Sequence, residues 1–71
     1  MKRFCVSFID FFDNDLTSKM VEGENELDAA LSYLEKYQGP KLCSEDFQDL
    51  ENLKENCFDN DCMINAIEII N

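Results

Sequence analysis

Residues 3–15 read Arg3-Phe4-Cys5-Val6-Ser7-Phe8-Ile9-Asp10-Phe11-Phe12-Asp13-Asn14-Asp15, and this stretch decides the fold. Phe4, Val6 and Phe8 recur at period two, and Phe12 keeps their parity. In a strand this spacing puts all four on one face, because successive side chains alternate sides. Cys5, Ile9 and Phe11 then lie on the opposite face. Asp13-Asn14-Asp15 supplies turn chemistry, since Asn tolerates positive φ and Asp bonds its own backbone. Residues 16–22 return as a second, antiparallel strand and complete a hairpin.

Outward from the hairpin, Asn25 is a good N-cap, and Glu26 and Asp28 suit the positive end of a helix. Leu27, Ala30, Leu31 and Leu34 fall at i, i+3, i+4 and i+7, one apolar stripe. Gly39-Pro40 ends this helix. Ser44 can cap a second helix over residues 45–56, with Phe47, Leu50, Leu53 and Cys57 inward. After Asp59-Asn60-Asp61 comes Cys62-Met63-Ile64-Asn65-Ala66-Ile67-Glu68-Ile69-Ile70. Its four isoleucines favour a strand, although Met63, Ala66, Ile67 and Ile70 also fit a helical stripe. The expectation is one α+β domain over residues 1–71: a small antiparallel sheet with helices on one face, order ββααβ, the last element strand or helix. Phe-Asp-Asn-Asp occurs at 12–15 and again at 58–61, and reads as two similar turns.

Seventy-one residues bury only about 60% of the unfolded surface, which leaves a thin core and little room to enclose a substrate. Sixteen Asp and Glu against six Lys and Arg give a net charge of −10. That charge repels nucleic acid and anionic lipid and attracts basic protein surfaces. With 45% hydrophobic residues the chain is too apolar to remain disordered. No apolar run reaches a membrane-spanning length, and Met1-Lys2-Arg3 runs into the strand without an apolar leader core. A cytoplasmic setting follows, with Cys5, Cys43, Cys57 and Cys62 as reduced thiols.

Catalysis and metal binding find little to work with. There is no histidine, no CxxC pair and no nucleophile motif, and two glycines make no phosphate loop. Asp13, Asp15, Thr17 and Glu24 sit at calcium-loop spacing, but Ser18 stands where that loop needs Gly. No enzyme activity, cofactor or metal is expected.

The acidic pattern is the feature above background. Glu22, Glu24, Glu26 and Asp28 alternate, and Glu45/Asp49 and Glu51/Glu55 are like charges at i, i+4 on the second helix, each costing ~0.2–0.5 kcal/mol. Asp46 shares that helix's outer side, and Asp13, Asp15, Asp59 and Asp61 line the two turns. Phe11, on a bare sheet face, is a candidate aromatic anchor. The expected partner-binding set is therefore Phe11, Asp13, Asp15, Glu22, Glu24, Glu45, Asp46, Asp49, Glu55, Asp59 and Asp61.

The run Val6-Ser7-Phe8-Ile9-Asp10-Phe11-Phe12-Asp13-Asn14 resembles the opening of the Dmd-type antitoxins by which T-even bacteriophages block a host RNase toxin. The similarity covers about the first third of the chain, as a strand and turn, and leaves the acidic second helix and Ile-rich end unaccounted for. Phage anti-CRISPR proteins share the size, the charge and the lack of catalytic residues. The resemblance implies a stoichiometric inhibitor seated on a nucleic-acid-binding or active-site surface of a host nuclease or defence complex, in a bacterial cytoplasm. The alternative is a small structural or regulatory homodimer whose charge serves solubility.

Overall fold

The structure is a computed structural model, and it describes residues 1–38 and 47–70. The order is β1 (Lys2–Asp10), β2 (Asp15–Gly23), α1 (Glu26–Tyr33) with a π-helical extension (Leu34–Gln38), α2 (Leu50–Asp59) and β3 (Cys62–Glu68). The three strands form one antiparallel sheet in the order β2-β1-β3, with both helices on one face. This is the ββααβ arrangement of the α+β class. The final element is a strand: its partner β1 offers a free edge, and alternation buries Cys62, Ile64 and Ala66.

β1 is central and pairs along its whole length. Phe4 lies opposite Val21 and Glu68, Val6 opposite Lys19 and Ala66, and Phe8 opposite Thr17 and Ile64. Phe4, Val6 and Phe8 are buried under the helices with Leu50, Leu53 and Cys57 of α2. Phe12 departs from this pattern. The Asp10 carboxylate accepts the Phe12 N–H at 2.9 Å, which starts the turn, so the strand ends before Phe12 can join the core. Phe12 is 84% exposed.

Asn25 caps α1 as expected, its side chain accepting from the Asp28 N–H at 2.8 Å. The buried face is rotated from the Leu27–Ala30–Leu31–Leu34 stripe. Ala29, Ala30, Tyr33 and Leu34 are fully buried, and Leu27 and Leu31 are half-buried flanks. The cause is Tyr33, whose hydroxyl hydrogen-bonds Thr17 at 2.6 Å while its ring packs on Phe8 with centroids 5.9 Å apart. A small helix face also has to meet the end of β2. A Cβ on Gly23 would lie 2.8 Å from the Ala29 nitrogen, so β2 approaches α1 only through glycine.

The second helix starts later than expected. Phe47 and Gln48 are non-helical, Asp49 is the N-cap, and the helix runs on to Asp59. Asp49 accepts the Asn52 N–H at 2.9 Å, the bond that a Ser44 cap was expected to supply five residues earlier. Ser44, Gly39-Pro40 and Cys43 lie outside the described residues. Cys5, Cys57 and Cys62 are free thiols. Among the described residues no helix is long and apolar enough to cross a membrane.

The rotated face sets an ordering of core substitutions. Leu34→Ala removes a fully buried side chain and should cost ~2–5 kcal/mol, whereas Leu31→Ala should cost less than half of that. Urea melts of the two variants check the order, and equal losses would restore the original stripe.

Candidate functional site

The strand order brings the two Phe-Asp-Asn-Asp segments together. The β1–β2 turn follows the C-terminal end of β1, and β3 begins opposite that same end, with Asp10 paired to both Asp15 and Cys62. The Phe11 N–H donates to the Asp61 carbonyl at 3.0 Å and ties one turn to the other. Each turn contains a residue in the left-handed region, Asn14 at φ 56° and Asp61 at φ 61°. Asn and Asp adopt that conformation more readily than other side chains, which explains their types at those two positions.

The result is an acidic and aromatic end of the sheet. Asp10, Asp13, Asp15, Asp59 and Asp61 provide five carboxylates, and residues 10–15 and 58–62 contain no Lys or Arg. Phe11 (47% exposed) and Phe58 (61%) meet edge-on with centroids 6.4 Å apart, and Phe12 stands nearby in solvent. Phe11 is thus in contact with the end of α2 through Phe58. A shallow groove continues from Phe58, Asp59 and Met63 along Glu51, Lys54 and Glu55. Glu55 of the expected set therefore borders the site.

The remaining expected residues lie elsewhere. Glu22 is on β2, opposite Arg3 at the far end of the sheet. The Glu22–Glu24–Glu26–Asp28 run is not extended, because the chain turns into α1 after Gly23. Asp28 serves that turn, its carboxylate accepting the Glu24 N–H at 2.9 Å. Asp49 is committed to capping α2, so its carboxylate has a local structural task. Glu45 and Asp46 lie outside the described residues.

Apart from Lys54, which lines the groove beside Phe58, the cations of the described residues lie away from the turn end or have their own contacts. Lys2 pairs with Glu68 at 3.9 Å at the opposite end of β1, Lys54 pairs with Glu51 at 3.4 Å, and Lys19 and Lys36 both sit 5.5 Å from the Tyr37 ring. Among the described residues, Asp13, Asp15 and Asp59 form no side-chain hydrogen bond or ion pair, and no three carboxylates or thiols converge as metal ligands. Phe12 and Phe58 were missing from the expected set. The repeated tetrapeptide was the available signal, and its meaning needed the strand order.

Behind the turns lie two buried thiols. Cys62 donates to the Cys57 carbonyl at 3.2 Å. Burial pushes the Cys57 thiol up to about 12, with the neighbouring Cys62 adding to the shift. Cys62 is also raised, first by burial and further by the Asp10 and Asp61 carboxylates, although its bond with Cys57 opposes the rise.

No family model, curated protein or solved structure matches this chain.

The thiols give the protein an alkaline limit. Below pH 9.0, the ordinary thiol value, folded and unfolded chains hold these protons equally, and no stability depends on them. Above it the unfolded chain releases protons that the folded chain retains. Stability then falls as pH approaches 12, at up to ~1.4 kcal/mol per unit for each raised thiol. Denaturant melts of the wild type and Cys57→Val between pH 8 and 11 should show a shallower decline in the variant. Parallel declines would exclude the buried thiol as the cause.

Proposed function

We propose that the protein is a non-catalytic inhibitor that binds a basic surface, one used for nucleic-acid binding or for catalysis, on a host nuclease or defence complex. The observation that carries this reading is the turn end, where five carboxylates surround three exposed phenylalanines without a cation among them. Exposed aromatics inside a single-sign charged rim match the anatomy of an interface anchor, with the rings supplying buried area and the charges supplying orientation. Carboxylates pair with Arg in the same bidentate geometry as phosphate, so the end can occupy a surface built for phosphate.

The unpaired state of Asp13, Asp15 and Asp59 supports the same reading. Turn conformation accounts for Asn14 and Asp61, and capping or turn bonds account for Asp10, Asp28 and Asp49. No local bond accounts for the other three. A partner's Lys and Arg would relieve their mutual repulsion on binding. Such a protein acts in the cytoplasm of a bacterial cell, and it does not bind nucleic acid by itself.

The test starts from capture on the immobilised protein, followed by purification of a captured nuclease or nucleic-acid-binding protein. Its cleavage or binding activity should fall to completion near one equivalent of added chain. The D13K/D15K/D59K variant should lose that inhibition by at least ~100-fold, because like-charge juxtaposition costs several kcal/mol. Its fold should persist, since all three positions are exposed and a cation at residue 59 suits the C-terminus of α2. Phe58→Ala should weaken inhibition ~10-fold or more, with little change in its salt dependence. Wild-type inhibition by the charge-reversed variant would remove the turn end from the mechanism.

A further inference from the structure

The face of the sheet turned away from the helices is a second surface, which shares Met63 with the groove beside Phe58. Register places its side chains in cross-strand rows, three of them beyond the Arg3–Glu22 pair at one end. Ser18, Ser7 and Asn65 form the middle row, and the Ser7 and Ser18 hydroxyls touch at 3.2 Å. On one side lies Met20-Cys5-Ile67 and on the other Leu16-Ile9-Met63. Leu16, Met20 and Ile67 are each more than 60% exposed. Six apolar side chains thus flank a narrow polar line, and among the described residues no helix covers them.

We infer that this face binds a second copy of the chain, sheet against sheet, about a two-fold axis running along the Ser18–Ser7–Asn65 row. Charge selects this occupant. The face carries only Arg3 and Glu22, opposite each other in register, and is formally neutral in a protein of net charge −10. A basic partner is drawn to the turn end instead, whereas two copies can meet here without burying like charges. The rows are also self-complementary. Rotation about that axis lays Met20-Cys5-Ile67 of one copy on Leu16-Ile9-Met63 of the other, and polar row on polar row.

The same rotation brings the Lys2–Arg3 end of each copy over the acidic turn end of its partner. A two-fold axis along the strands would instead stack Arg3 on Arg3. Phe58 and Asp59, on the helix side, stay outside the sheet–sheet contact in the chosen arrangement. Three strands of nine, nine and seven residues, ~4.8 Å apart and rising ~3.3 Å per residue, form a small face. Two of them bury an area at the low end of specific interfaces, so the dimer is weak and concentration-dependent. Sheets packed this way settle near −30° and about 10 Å apart.

Sedimentation equilibrium over ~1 µM to ~1 mM provides the test, at a concentration range suited to a small interface. The wild type should pass from the chain mass to twice that mass within this range. M20K/I67K should remain monomeric throughout with an unchanged melting curve at low concentration, since both side chains are exposed in the single chain. Arg3→Glu should weaken the dimer at least tenfold by placing acid on acid. Dimerisation should change little as salt rises, because screening weakens the Arg3 contact and the repulsion between two −10 chains alike while the apolar rows are unscreened, whereas capture of a basic partner weakens steeply. The salt response therefore separates failure of this inference from failure of the inhibitor reading. A wild type that stays monomeric at ~1 mM, or a dimer surviving M20K/I67K, overturns the inference, and an unaffected Arg3→Glu dimer overturns the arrangement.

Discussion

Everything in this fold depends on β1 being paired on both sides. A 71-residue chain has little apolar area to bury, and an isolated hairpin is marginal in water. With β3 added on the other side of β1, Phe4, Val6 and Phe8 sit in the middle of a three-stranded platform and the helices close over them. The core then needs only short helices. It uses Ala29 and Ala30 for close approach, and Tyr33, Leu34, Leu53 and Ile64 for volume. Among the described residues no buried side-chain polar atom lacks a hydrogen-bond partner, so this thin core carries no internal polar cost.

The same central pairing builds the candidate site. Because both neighbours of β1 are antiparallel to it, the turn into β2 and the entry into β3 fall at one end of the sheet. Two segments 46 residues apart in the chain become adjacent through the β1–β3 pairing, the Phe11–Asp61 backbone bond and the Phe11–Phe58 ring contact. Acids that look scattered along the sequence are thereby concentrated, while Lys2 and Arg3 are carried to the opposite end. The molecule is polarised along its strands, which orients the approach of any charged partner before contact.

Legibility followed the range of the interactions. The strand alternation of Phe4, Val6 and Phe8, the Asn25 cap and the element order are local or periodic, and residue types alone reveal them. Phe12 kept the parity of the core positions, but one hydrogen bond from Asp10 ended the strand first. The α1 face was misjudged because hydrophobicity marks Leu31 over Tyr33, whereas Thr17 on a distant strand holds Tyr33 inward. The Asp49 cap was masked by a run of acids in which any residue could be assigned to the helix surface. Of the expected binding residues, Phe11, Asp13, Asp15, Asp59 and Asp61 converge and Glu55 borders them. That convergence depends on strand order, which no local pattern in the chain encodes.

The distribution of acids carries the final step. If charge served solubility alone, carboxylates would be worth most spread evenly, where self-repulsion is least. The fold does the reverse at the turn end, crowding five of them and leaving three without a local bond. It also leaves Phe12 and Phe58 exposed beside them, an arrangement that adds nothing to solubility and forgoes apolar burial in a chain with little to spare. Meanwhile the bare sheet face, which is the natural site for self-association, holds only one charge of each sign. Two surfaces of different character are thus segregated by the central strand: an end crowded with carboxylates and a sheet face of no net charge. Such segregation is what a protein needs if it is to meet a basic target with one end while the sheet face remains available for a second chain.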